Sequence, residues 1–212
     1  MANLKPVLAL AAIPACIAVA WFLATQFRPE HDGFTYDGHI TTWLLLAPIP
    51  LEEGQRGVVG LDMEQIKNEA NLRPKAGEKV KVGGRVLVWR EYRTREFFID
   101  FNDFLGNQNE HNAGYAVCYV HALSDITDAK LTIGSDDQAR VYLNGVEVIK
   151  SIQTRGLNKD QDAANVILKR GMNVLVFKVI NVFGSWTGCA RFIDRRGNPI
   201  QNLKLSLTGK AK

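Results

Sequence analysis

The sequence predicts a mainly β protein, an antiparallel sandwich or barrel, with one N-terminal transmembrane helix and one short extra helix. Three observations lead there. Residues 6–27 are 22 uncharged, mostly apolar positions. Beyond residue 77 the apolar spacing has a period of two. Turn residues recur every 8–15 positions between short apolar segments, with little helical spacing.

The chain has 212 residues, 46% hydrophobic and 23% charged, which suits one folded domain with an appendage. Its net charge is +4, of which Lys5 is the only contribution before Arg28. The remaining surplus of three reads as spread over acidic and basic residues alike. There is no block of five like charges, so nucleic acid is set aside as a partner.

As a helix, residues 6–27 would extend ~33 Å, enough for a hydrocarbon core of ~30 Å. Lys5 ahead of this run keeps the N-terminus cytoplasmic, so residues 28–212 are expected on the periplasmic side of a bacterial inner membrane, single-pass. Trp21 and Phe22 suit the outer headgroup level, and Pro14 would kink the helix. Ala11/Ala15 and Ala20/Ala24 have the spacing that lets helices approach closely. A cleaved signal peptide ending near Ala18-Val19-Ala20, and a lipoprotein at Cys16, are the rival readings. A retained anchor in the bilayer is preferred. The expected organisation is an anchor (1–27), a linker (28–39) and a periplasmic β-sandwich (40–212).

In the exported part, residues 43–47 (WLLLA) suit a buried strand stopped by Pro48 and Pro50. Apolar positions 61, 63, 66, 70 and 72 are near helical spacing before Pro74, which predicts the one extra helix. Val80, Val82, Val86 and Val88 are expected on one strand face around Gly83-Gly84, and residues 97–101 (FFIDF) as another strand. Residues 115–123 (YAVCYVHAL) read as a long central strand. Asn144-Gly145 between alternating flanks is the strongest hairpin signal, because a type I′ turn needs positive φ at both central residues. Strands are also expected at 130–133, 165–168, 173–180, 188–193 and 203–207.

Three of these motifs in order, residues 134–137 (GSDD), 141–145 (VYLNG) and 171–178, resemble the galactose-binding-like jelly-roll domain. Residues 43–50 (WLLLAPIP) and 186–192 (WTGCARF) are similar to the same family. The resemblance covers roughly residues 40–208 and implies a jelly-roll β-sandwich. It also implies that a sugar ligand is possible and, in some members, structural calcium; no sugar-binding set matches here residue by residue. The layout of one span followed by a sandwich is also similar to an accessory subunit of bacterial photosynthetic reaction-centre–light-harvesting complexes.

The chemistry-bearing residues point away from catalysis. Asp136 and Asp137 are adjacent and better suited to accepting backbone N–H bonds at a turn than to acid–base work. Glu52, Glu53, Asp100 and Asp103 form no recognisable acid pair. His31, His39, His111 and His121 lack metal-ligand spacing, and no cofactor is expected. Cys118 and Cys189 could form a disulfide or stay as buried thiols. There is no G-x-S-x-G, P-loop, G-x-G-x-x-G or C-x-x-C-H motif. Residues 89–104 (WREYRTREFFIDFNDF) supply a candidate partner surface in Trp89, Arg90, Tyr92 and Arg93, because Trp, Tyr and Arg dominate interface hot spots. Trp186 could stack on a partner or on a sugar ring; core positions are the alternative for these aromatics. The expectation is therefore a non-catalytic accessory subunit that binds integral membrane subunits, with a membrane-tethered carbohydrate-binding module as the alternative.

Overall fold

The computed structural model describes residues 33–209. Among them no helix is long and apolar enough to cross a membrane. The expected anchor, with Pro14, Trp21 and Phe22, lies outside the described residues.

Thirteen strands are present among the described residues: β1 (Thr42–Pro50), β2 (Lys79–Val82), β3 (Arg85–Val88), β4 (Arg90–Arg93), β5 (Ile99–Asp100), β6 (Asn112–Ala122), β7 (Ile126–Asp136), β8 (Gln138–Leu143), β9 (Val146–Ser151), β10 (Asp162–Leu168), β11 (Gly171–Asn181), β12 (Thr187–Ile193) and β13 (Leu203–Ser206). Two five-residue helices, α1 (Val58–Asp62) and α2 (Phe101–Leu105), and two single turns complete the elements. All pairing is antiparallel. A seven-stranded sheet has the order β4-β1-β6-β11-β8-β9, with β13 also on β6. The opposing four-stranded sheet runs β10-β7-β12-β5. The eleven residues of β6 let one flank carry two partners in succession: β1 pairs at 112–117 and β13 at 119–122.

Alternating side chains of the large sheet divide between two cores. Trp43, Leu45, Cys118, Phe177 and Val141 face the small sheet and meet Leu131, Ile133 and Phe192. Leu44, Leu46, Val117, Tyr119 and Val176 point the other way, under a layer built from residues 51–89. Both faces of β6 are therefore buried, and this is why residues 115–123 read as one unbroken apolar run. The β8–β9 hairpin is as expected: Leu143 pairs with Val146, and Asn144 and Gly145 have φ of 54° and 85°.

Four expectations are corrected. The helix expected over 61–72 is absent. The chain makes α1 and then a 3₁₀ turn at Glu69–Asn71, because Lys178 Nζ donates to the carbonyls of Leu61 and Met63 at 3.0 and 2.6 Å. Those carbonyls are thereby drawn out of helical pairing. The four valines do not share a face. A two-residue turn sets Val80 opposite Leu87 and Lys81 opposite Val86, so Val86 and Val88 point outward. Only Ile99–Asp100 of the segment 97–101 is strand; Asp100 caps α2 by accepting from the Asp103 N–H at 2.9 Å. The described part of the expected linker, 33–39, is bonded into the domain, with the Thr41 N–H donating to Gly33 and the Ile40 N–H to Ala190.

Candidate functional site

The sequence-predicted partner residues separate in the structure. Trp89 is 1% exposed in the outer core, and Trp186 is fully buried, stacked on Phe101 with ring centroids 4.7 Å apart. Neither side chain is available to a partner or a sugar: both are core residues, and an exposed ring would forfeit the apolar burial their size provides. The other three sit together on β4, the edge strand of the large sheet. β4 pairs only with β1, through Trp43↔Tyr92 and Leu45↔Arg90. Arg90 and Arg93 are exposed and Tyr92 is half-buried. The Arg90 guanidinium lies 3.9 Å from the centre of the Phe104 ring, and Tyr92 meets the same ring edge-on at 5.8 Å. Arg93 is 3.8 Å from Glu91. Helix α2 thus fixes Arg90 and Tyr92 in place, while the outer backbone edge of β4 has no strand partner among the described residues.

The two adjacent aspartates lie where the chain passes from the small sheet (β7) to the large one (β8). Asp137 is 2% exposed, and its carboxylate accepts from the backbone N–H groups of Arg155, Val182 and Phe183. This is the backbone-holding role expected for a turn carboxylate. Burial, with the Asp137 charge as a smaller contribution, pushes the Asp136 carboxyl up to about 6. Both line a shallow cleft of about 260 Å³ with Arg155 and Phe183, and Phe183 is 60% exposed. Arg155 is held by Asp162 in an ion pair and by the Ser135 hydroxyl at 3.2 Å.

A second, open cleft of about 720 Å³ is lined by Tyr36, Asp128, Asp194 and Asn198. Tyr36 is 91% exposed there. Next to it, Asp37 takes Lys159 Nζ at 2.7 Å and the Thr35 hydroxyl at 2.6 Å. His39 is 1% exposed, 3.1 Å from Asp37, and held below the usual imidazole range, mainly by burial.

Among the described residues no group of three or more His, Cys, Asp or Glu is placed to hold a metal ion. Cys118 and Cys189 are free, buried thiols, so the disulfide alternative is not realised. Burial pushes both upward, Cys189 to about 12.

Sequence reading missed the polar knot between the large sheet and its outer layer. Lys178 has no exposed surface, and its ammonium lies 3.1 Å from Glu69, itself 3% exposed. Glu69 also accepts from the Tyr115 and Tyr142 hydroxyls. Burial lowers the Lys178 pKa, and Glu69 partly offsets it; the Tyr115 pKa is raised by burial and by the Glu69 charge. One lysine inside the otherwise apolar run 174–180 of β11 was the available signal.

No protein-family model matches this chain, and no curated protein matches its sequence. Solved structures overlap it in part, among them the following three. An anti-sigma factor domain-containing protein is 10% identical over 55% of this chain and 42% of its own, with a TM-score of 0.41. An anti-sigma factor domain-containing protein from Clostridium clariflavum is 9% identical over 53% and 40%, with a TM-score of 0.39. A β-glucosidase from Kluyveromyces marxianus is 18% identical over 50% and 14%, with a TM-score of 0.36. The chain spans less than half the length of each. At these scores the overlaps carry no argument about ligand or activity.

Proposed function

We propose that this protein is a non-catalytic accessory subunit, anchored in a bacterial inner membrane by residues 6–27, whose periplasmic sandwich contacts neighbouring membrane-protein subunits. The observation that carries the reading is the open edge of β4. There Arg90 and Arg93 are exposed, and α2 holds the strand in place. A preordered edge strand rich in arginine can pair its backbone with a partner and place charged forks beside it at little ordering cost. The ion pairs support the non-catalytic part, because buried Lys178 and partly exposed Arg155 and Arg191 are each engaged by an acid of the fold. The jelly-roll resemblance agrees with the two-sheet architecture, and the one-span layout makes a photosynthetic reaction-centre–light-harvesting complex the first assembly to test.

The experiment is mild detergent extraction of native membranes, size separation and mass spectrometry. The expected result is co-migration with a large integral complex, lost in an Arg90→Glu/Arg93→Glu chain that keeps its β circular dichroism. A lone monomer from fresh membranes overturns the reading. The second reading is a membrane-tethered carbohydrate-binding module, favoured by Tyr36 standing free over the acceptor-lined cleft. Calorimetric titration with a glycan panel should then give heat that Tyr36→Ala abolishes; no heat with any glycan removes this reading.

A further inference from the structure

The chain's net positive charge is concentrated in one segment of the sequence. Residues 73–95 hold eight basic and two acidic side chains, a surplus of six in a chain whose whole surplus is four. All eight basic residues are exposed. The centre of this segment is the β2–β3 hairpin, which turns Val80, Val82 and Leu87 down onto the outer core. Its other face carries Lys79 opposite Val88 and Lys81 opposite Val86. Val86 is 62% exposed and Val88 38%. Neither lysine has an acidic partner within ion-pair distance among the described residues.

We propose that this face is a docking surface for an anionic lipid bilayer, with Lys79 and Lys81 on the headgroup phosphates and Val86 and Val88 at the acyl boundary. Charge complementarity selects the occupant. An anionic leaflet attracts a basic patch at roughly fivefold in partition for each Lys or Arg at its surface. Two branched apolar side chains, each opposite a lysine stem, match a headgroup layer, where each ammonium reaches up while its methylenes stay with the valines. The four residues include no aromatic ring, so the face lacks the stacking platform a single-stranded nucleic acid uses. The inference rests on the membrane-anchored reading only for the presence of a bilayer beside the domain.

The test uses the full chain carrying Val86→Cys and Cys16→Ser, labelled with an environment-sensitive fluorophore. Cys118 and Cys189 are buried and their thiol pKa values raised, so the label goes to position 86. The protein is compared in detergent, in phosphatidylcholine vesicles and in phosphatidylcholine–phosphatidylglycerol vesicles. The expected result is a blue shift and shielding from an aqueous quencher only with phosphatidylglycerol. Replacing each lysine by glutamate should lower the docked fraction roughly fivefold or more, and salt should reverse docking. A label equally exposed in both vesicle types overturns the proposal, as does equal shielding in both. Shielding already present in detergent assigns the face to a second copy or another protein and also overturns it. Protease accessibility of residues 6–27 in the same vesicles reports separately on the anchor. A chain that fails to insert but responds to phosphatidylglycerol loses the anchor and keeps the hairpin assignment.

Discussion

The two cores of this domain are built by different means. The core between the sheets is apolar and regular. Alternate residues of β1, β6, β7, β11 and β12 interdigitate across it, and Trp186 and Phe177 fill its centre. The outer core lies between one face of the large sheet and a chain that is mostly irregular, from residue 51 to Trp89. Its one ladder, β2–β3, is not paired to the large sheet, so few backbone bonds set the layer's position. Here Lys178 and Glu69 supply that register, by holding the carbonyls of Leu61 and Met63 and the hydroxyls of Tyr115 and Tyr142. The comparison teaches that a regular core can be positioned by pattern, whereas an irregular cover needs a directional, buried polar contact.

The largest expected effects compare the two cores directly. Trp186→Ala should cost about 3–5 kcal/mol by denaturant unfolding and loosen the whole sandwich. Trp89→Ala should cost a similar amount, with increased hydrogen exchange concentrated in residues 51–90 and the β6–β11 amides still protected. If Trp89→Ala exposes both sheets, the outer layer is integral to the sandwich and the contrast fails. In the same experiment Arg90→Ala and Arg93→Ala should stay within about 0.5 kcal/mol of the parent, as exposed edge residues do.

Removing one half of the polar knot sharpens the contrast. Lys178→Met leaves Glu69 buried without its cation, and should destabilise the domain by about 3–5 kcal/mol. The double variant with Glu69→Gln should recover part of that loss, because no uncompensated charge remains. Additive losses in a double-mutant cycle would mean that the two groups do not act as a pair.

The smallest effect is a pH dependence at the sheet crossover. The Asp136 pKa is raised to about 6 in the folded protein, from an ordinary value of 3.8. The folded state therefore binds the extra proton between these values, and this residue's contribution to stability falls as pH rises through that window. Asp136→Asn should raise the melting temperature relative to the parent above pH 6, and the gap should close as pH falls below about 4. A gap independent of pH would show that the carboxyl titrates normally.

Much of the sandwich was legible because its signals are local. The alternation in β7, the Asn144-Gly145 turn and the doubly buried apolar runs of β6 and β11 each follow from short stretches of chain. The mainly β, antiparallel class needed nothing more. Of the candidate surface, Arg90, Tyr92 and Arg93 could be named as a group, since three alternating polar and aromatic residues on a short strand stay close together. Trp89 and Trp186 have the same residue chemistry, and only the fold shows that one closes the outer core and the other stacks on Phe101. Tertiary contacts decided three further features. Lys178 replaced a helix at 61–72 with a pinned loop, because an ammonium in an apolar interior captures any nearby carbonyls. The two-residue turn at Gly83-Gly84 sent Val86 and Val88 outward, since antiparallel pairing puts residues of opposite parity on one face. It also set Lys79 and Lys81 beside them on that outward face. Local periodicity specifies which segments become strands; how those strands oppose, and which side chains they leave facing water, depends on contacts between residues far apart in sequence.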